Sequence, residues 1–275
     1  MSLGHKGIID FHTHIFPDRI AEKTVGYLAK KANIPPYSDG TENGLIKSME
    51  RAEAAVAIAL PAMTRPDQFD SINGFAEQIN DKYKNAERRI ISFGGIHPSC
   101  EDIDGKMKEL AIRGFKGVKL HPDYQGEFID SPAYIRILEC AREYGLIVVT
   151  HAGVDNGFPG EPVRCPPDRL KRLIDRVPYN KFVLGHYGGH LMWDEVYETL
   201  ADCDVYFDTA YTLSEIEPNL FTRIVNRLGS ERVLFATDSP WRDIAEEADI
   251  LRSFGLNKET ENRIFYENAS RLLGL

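Results

Sequence analysis

The stretch GIIDFHTHIFP (residues 7–17) closes a short apolar run with two histidines one residue apart, His12 and His14, and carries Asp10 just before them. Alternate side chains of a strand share a face, so positions 10, 12 and 14 are expected to look one way. At roughly 3.3 Å per residue, the two histidine Cα atoms stand about 6.6 Å apart, close enough for both imidazoles to lean onto one ion. Taken alone, the pair reads equally well as two solvated rings at a strand end.

The rest of the chain tips the balance. Polar residues of the same chemical kind close other apolar runs: Arg65 after AAVAIALPAM, His97 in GGIHP, Lys119 and His121 in GVKLHP, His151 in VVTHAG, His186 in VLGHYGGH and Asp238 in FATDSP. Of the 8 histidines only His5 and His190 fall outside this set. A catalytic zinc takes about three or four protein N or O donors and keeps a position open for water. His12 and His14 from the first run, His151 from the fifth and Asp238 from the eighth supply such a set. A divalent cation lowers the pKa of its water to about 7, and a carboxylate at Asp238 would take that proton and pass it to a leaving group. His186 fits three roles: support for the ligands, ligand to a second ion, or a base or electrophile acting on the substrate. A two-ion barrel needs a bridging acid, and the fourth run offers Lys119 and His121 but no glutamate. Lys119 therefore reads as the holder of a substrate anion, with a carboxylated lysine as the alternative. One ion is favoured, Zn²⁺ ahead of Mn²⁺ with a second ion left open, and His186 acts without binding it.

Elements must hold these residues together. Eight short apolar runs, the first GIIDFHTH and the last VLFATDSPW, alternate with segments of helical periodicity. Nearly continuous apolar runs suit strands covered on both faces, as in parallel sheets. SPAYIRILECAREYG opens on Ser-Pro and stops at Gly145, where a left-handed cap fits; PDRLKRLIDRVP stops before Pro178. SEIEPNLFTRIVNRLG and NKETENRIFYENASRLLGL read as two further helices. No low-complexity linker divides the 275 residues. The expectation is a single-domain, slightly distorted (β/α)₈ TIM barrel over residues 1–275, with the chemical residues gathered at the C-terminal ends of the strands. An open doubly wound sheet lacks its Gly-rich loop after the first strand.

The ordered motifs HxH, KLHP, THAG, GHYGG and TDSP resemble the amidohydrolase superfamily. They are most similar to the branch holding aminocarboxymuconate-semialdehyde decarboxylase-like and uronate- or lactone-hydrolase-like members. The resemblance covers essentially the whole chain. It implies a TIM-like barrel with zinc or another divalent ion, His12, His14, His151 and Asp238 as ligands, and His186 as the catalytic histidine. The branch contains hydrolases and non-oxidative decarboxylases.

Composition narrows the partners. The formal net charge is −9, with 33 Lys and Arg against 42 Asp and Glu, and no basic run stands out. That argues against nucleic acid, and so against a metal-dependent nuclease of the related barrel type. No segment approaches the ~20 apolar residues of a membrane span, the N-terminus has no apolar signal core, and Cys100, Cys140, Cys165 and Cys203 form no CxxC pair. A cytoplasmic protein with reduced thiols is expected, and a homodimer would be ordinary for its size. Arg65, Arg164, Trp241 and Arg242 lie after strand ends or in the long loop GVDNGFPGEPVRCPP, where arginine suits a carboxylate; His97 and His121 would line the same pocket. The favoured function is hydrolysis of a small carboxylate-bearing amide, ester or lactone. The alternative is decarboxylation of a small unsaturated or aromatic acid, with His186 protonating the carbon that loses CO₂.

Overall fold

The computed structural model describes residues 7–275; His5 lies outside them. Parallel strands run in sequence order as β1 (Ile8–Thr13), β2 (Ala54–Ala59), β3 (Arg89–Ser92), β4 (Gly94–Gly95), β5 (Gly117–Leu120), β6 (Ile147–Thr150), β7 (Phe182–Leu184), β8 (Tyr206–Asp208) and β9 (Val233–Leu234). β3 and β4 are two halves of one barrel strand, parted at Phe93, whose N–H still bonds the Ala59 carbonyl at 2.9 Å. The ring closes through the first strand: Phe11 N donates to Phe235 O at 2.9 Å and Asp238 N to His12 O at 2.8 Å. The eight expected strands are thus the eight staves of a closed TIM barrel, and the divided third stave is its distortion.

Alternation along the strands sorts two layers. Ile9, Phe11, Val56, Ile58, Phe93, Val149 and Leu234 fill the barrel as one buried cluster. Ile8, Ala57, Val118, Val148, Phe182 and Phe207 belong to the larger cluster that receives the helices. Apolar burial of this kind is the main favourable term in holding the fold. β1 departs from strict alternation. Its ladder with β2 shifts register between Ile8 and Ile9 and again between Asp10 and Thr13. Such irregularities re-aim side chains beside active sites. Here Phe11 stays in the barrel core while the next ring, His12, also reaches the site. Asp10 does not join the two histidines: its carboxylate accepts from Thr237 N at 3.1 Å and Thr237 Oγ1 at 2.5 Å, tying β1 to the last stave.

The helix Pro132–Tyr144 ends at Gly145 with φ +71°, as expected, and the helix Pro167–Arg176 ends just before Val177. The third expected helix starts only at Pro218, and the last is divided by a π-helical segment at Arg263–Glu267. α1 (Asp18–Ala32) follows β1 and lends Ile20, Tyr27, Leu28 and Lys31 to the mouth of the barrel. Among the described residues no helix is long and apolar enough to cross a membrane. All four cysteines are buried free thiols.

Gly153 pins two loops together at the site. Its φ is +83°, and a Cβ there would lie 2.1 Å from His190 N and 2.5 Å from the Gly189 carbonyl carbon. The close approach lets Val154 N donate to His190 O at 3.0 Å and His190 N to Ala152 O at 2.9 Å. Gly153→Ala is expected to lower stability by about 3 kcal/mol, left-handed strain and overpacking together. Urea unfolding checks this; a loss below about 1 kcal/mol would mean that the loops yield.

Candidate metal centre

His12 and His14 leave β1 into the mouth of the barrel, and Asp238 arrives beside them because the seam places it there. His14 Nε2 lies 3.0 Å from Asp238 Oδ1, and His12 Nε2 3.5 Å from the same oxygen. The ligand atoms of these three residues all lie within 4.8 Å of one another. The opposite ring nitrogens are fixed: His14 Nδ1 donates to Leu60 O at 2.7 Å, and His12 Nδ1 bonds Asp208 Oδ2 at 2.8 Å. A carbonyl can only accept, so His14 carries its proton on Nδ1 and keeps the Nε2 lone pair for an ion; the Asp208 carboxylate imposes the same tautomer on His12. The donor set fits a divalent cation on that ground. Lys119 Nζ lies 2.8 Å from His12 Nε2, so an ion and the ammonium compete for one lone pair.

Burial disfavours charge on most of these groups. It pushes His12, His121, His151 and His186 below the usual imidazole range and pulls Lys119 down to about 8. Burial also works to raise Asp238, but the neighbouring imidazoles of His14, His12 and His186 outweigh it and hold the carboxyl well below its ordinary value. Asp238 is a carboxylate at neutral pH. Its φ is +67° and that of His186 is +54°, left-handed conformations that cost a non-glycine residue about 1–3 kcal/mol each and cluster at functional sites.

His186 follows β7. Its Nδ1 bonds Ala210 O at 2.9 Å and its backbone N–H donates to Asp208 Oδ1 at 3.0 Å. The ring stands 5.3 Å from that of His12 and 4.6 Å from that of His151. His151, expected with His12 and His14, groups instead with His121 and Asp155, and its ring stacks on His121 at 4.4 Å.

One cavity of about 710 Å³ receives His12, His14, Lys119, His121, His151, His186, Asp238 and Trp241. Its remaining wall is mostly apolar, with Ile15, Phe16, Leu28, Phe75 and Phe158. Three expected pocket residues lie elsewhere. Arg65 is exposed and paired with Asp67 at 3.0 Å. His97 is buried, and its Nδ1 accepts from Ser99 N at 3.0 Å. Arg164 pairs with Glu161 at 2.9 Å. Local partners two or three residues away take up these side chains before a substrate could. Arg242 likewise bonds Glu215 at 3.0 Å.

Sequence reasoning passed over Asp208, which closes VYFDTAY at a strand end like the residues that were singled out. Asp155 sat unremarked in the long loop. Glu247 was also passed over. It is 2% exposed and 4.0 Å from Arg242 Nε, and burial pushes its carboxyl up to about 7. A raised carboxyl contributes stability below its unfolded value that is lost as pH rises through about 7. Glu247→Gln is therefore expected to remove about 2 kcal/mol of the stability difference between pH 5 and pH 8. Urea midpoints at both pH values check this, and equal pH slopes in variant and wild type would count against it.

The family profile described as Amidohydrolase matches residues 9–275. The chain belongs to the amidohydrolase family. No curated protein matches the sequence closely enough to carry a comparison. Among solved structures, this amidohydrolase is similar to 2,6-dihydroxybenzoate decarboxylase from Rhizobium, with TM-score 0.66, 16% identity, and 98% of each chain covered. It is similar to 5-carboxyvanillate decarboxylase from Novosphingobium aromaticivorans, complexed with manganese and 4-hydroxy-3-methoxy-5-nitrobenzoic acid, with TM-score 0.72 and 15% identity over 98% of this chain and 96% of that one. An uncharacterised TIM-barrel protein from Bordetella bronchiseptica gives TM-score 0.74 and 14% identity over 98% of both chains. At these identities the likeness speaks to the fold, and the amidohydrolase site stands on its own residues.

Proposed function

We propose that this amidohydrolase is a metal-dependent decarboxylase of a small aromatic or unsaturated acid. The observation that carries the reading is the cavity: a donor set of two imidazoles and one carboxylate opens into a chamber of about 710 Å³ walled by Ile15, Phe16, Leu28, Phe75 and Phe158. A flat apolar ring with one anionic end fits such a chamber better than a polar amide does. Two of the similar structures are, by name, decarboxylases of aromatic acids, which supports the same choice.

His12 Nε2, His14 Nε2 and Asp238 Oδ1 would hold the ion, Zn²⁺ or Mn²⁺, both of which accept imidazole and carboxylate donors. Bound there, it supplies a Lewis acid for the carboxylate of the substrate. Lys119 adds a cation on the same side. His186 Nδ1–H donates a hydrogen bond to Ala210 O, so Nε2 keeps a lone pair facing the chamber. That nitrogen takes a proton from a substrate hydroxyl and returns it to the ring carbon as the C–C bond breaks and CO₂ leaves. The bonding pair stays with the carbon, and solvent supplies the proton consumed overall.

A second reading, hydrolysis of an ester, amide or lactone, rests on Asp238. A carboxylate held ionised is suited to taking a proton from water. The two reactions part in one assay. The metal-loaded protein is incubated with hydroxylated benzoates and, separately, with small lactones. Release of CO₂ that vanishes in His186→Asn supports the decarboxylase. Ring opening of a lactone without CO₂ release would move the assignment to hydrolysis.

A further inference from the structure

His190 lines the chamber, and the proposed reaction gives it no task. The residue is 3% exposed, and neither of its ring nitrogens has a hydrogen-bond partner. Glu215 Oε2 stands 3.9 Å from Nε2, beyond hydrogen-bond reach. Buried polar atoms are nearly always paired, so two orphan nitrogens on a ring beside a ligand chamber point to a partner that the chamber admits.

The ring is held ready for one. Its backbone is clamped across Gly153, by Ala152 O on one side and Val154 N on the other. Trp193 and Tyr211 pack edge-on against the imidazole, with ring centres 5.8 and 5.7 Å away. Trp193 is itself anchored, its Nε1 donating to His186 O at 3.1 Å. A side chain already fixed loses little freedom when a ligand binds.

Burial pushes the imidazole down to about 3, so the ring is neutral and carries one N–H and one lone pair. Glu215 pairs with Arg242 through Oε1 at 3.0 Å and turns Oε2 toward His190 Nε2. The carboxylate favours hydrogen on Nε2 and leaves the lone pair on Nδ1. A lone pair accepts from a hydroxyl and repels a second carboxylate. The ring centres of His190 and His186 lie 6.1 Å apart. A substrate whose first hydroxyl meets His186 therefore brings a neighbouring donor within reach of His190.

We propose that His190 determines specificity, accepting a hydrogen bond from a second donor group on the substrate beyond the hydroxyl that meets His186. The inference rests on the decarboxylase reading and adds to it a residue that selects among aromatic acids.

The test compares ligands that differ by one hydroxyl. The Mn²⁺-loaded full chain is titrated calorimetrically with 2-nitrophenol and with each of its ring-hydroxylated derivatives. The nitro group stands in for the carboxylate and cannot leave as CO₂. Wild type is expected to bind at least one derivative about 10–100-fold more tightly than 2-nitrophenol. His190→Phe keeps the packing against Trp193 and Tyr211 but offers no lone pair. It is expected to bring the two affinities within about threefold, with 2-nitrophenol itself bound as before. His190→Leu is the second variant should the first misfold, and circular dichroism checks both. A merely structural ring would weaken all ligands alike, so an equal loss in both variants overturns the assignment. So does a wild type that binds no derivative more tightly, or a preference that survives both replacements. Where His186-dependent CO₂ release persists in those cases, the proposed reaction stands and only the role of His190 falls. Where the preference is lost as expected but no acid is decarboxylated, His190 keeps its role and the reaction falls. Binding of no nitrophenol at all overturns both.

Discussion

Asp238→Asn is expected to lower kcat/KM by about a thousandfold, within the 10²–10⁴-fold that positioned proton-transfer groups contribute, with loss of tightly held metal added to it. The amide keeps the size of the carboxyl group and one oxygen, so the change isolates the negative charge. That charge faces the Nε2 atoms of His14 at 3.0 Å and of His12 at 3.5 Å, where it would complete the donor set for a cation. Decarboxylation and hydrolysis both need it, so the prediction holds whichever assay the enzyme answers. Steady-state kinetics with metal analysis on the same samples decide it. Activity within tenfold of wild type, with metal retained, would remove Asp238 from the centre.

Asp208→Ala is the largest expected loss of stability. The carboxylate is fully buried and accepts from three donors: His12 Nδ1 at 2.8 Å, His186 N at 3.0 Å and Ala210 N at 3.1 Å. Alanine leaves all three unpaired. At about 1–3 kcal/mol for each of the three buried orphans, the cost is about 3–9 kcal/mol, a large part of the stability of an ordinary domain. Asp208→Asn behaves differently. Its oxygen can serve the two backbone donors, but its NH₂ then meets His12 Nδ1 and favours the tautomer with hydrogen on Nε2. That variant is expected to fold yet bind the ion about 10–100-fold more weakly, the usual penalty for losing the partner that orients a ligand. Urea unfolding and Mn²⁺ titration separate the two effects. Unchanged metal affinity in Asp208→Asn would show that the His12 tautomer is set elsewhere.

The barrel was legible because its signals are local and repeated: apolar runs of strand length, each closed by a residue with chemistry at its end. His12, His14 and Asp238 meet as expected because neighbouring staves of a closed barrel bring their C-terminal ends together. Asp10 was misplaced because a register shift in β1 depends on how β2 pairs with it, and no pattern in GIIDFHTH announces that. Arg65, His97 and Arg164 were assigned to substrate from position alone, although Asp67, Ser99 and Glu161 were visible in the sequence within three residues. A short-range partner captures a long side chain at little entropic cost. The pairing of His151 with His121 rests on the path of two loops across Gly153, which strand periodicity does not encode. α1, which walls the chamber, was not singled out in the sequence, because which surface its apolar residues cover is a tertiary fact.

The seam of the barrel carries a consequence for how the protein comes into being. His14 and Asp238 stand 224 positions apart in sequence, and β1 gains its second neighbour only when Phe235 and Asp238 reach it. During synthesis on the ribosome the histidine pair therefore emerges early and waits, one edge of its strand unpaired, for the last stave. Such long-range closure is slow, and an open strand edge invites association with other chains. An ion held beside Asp238, as proposed, would bind only once the ring is shut and would then draw the population toward the shut form by mass action. Nascent chains made in a metal-starved cell would linger with the seam open, where a protease or a chaperone reads β1 as unfinished.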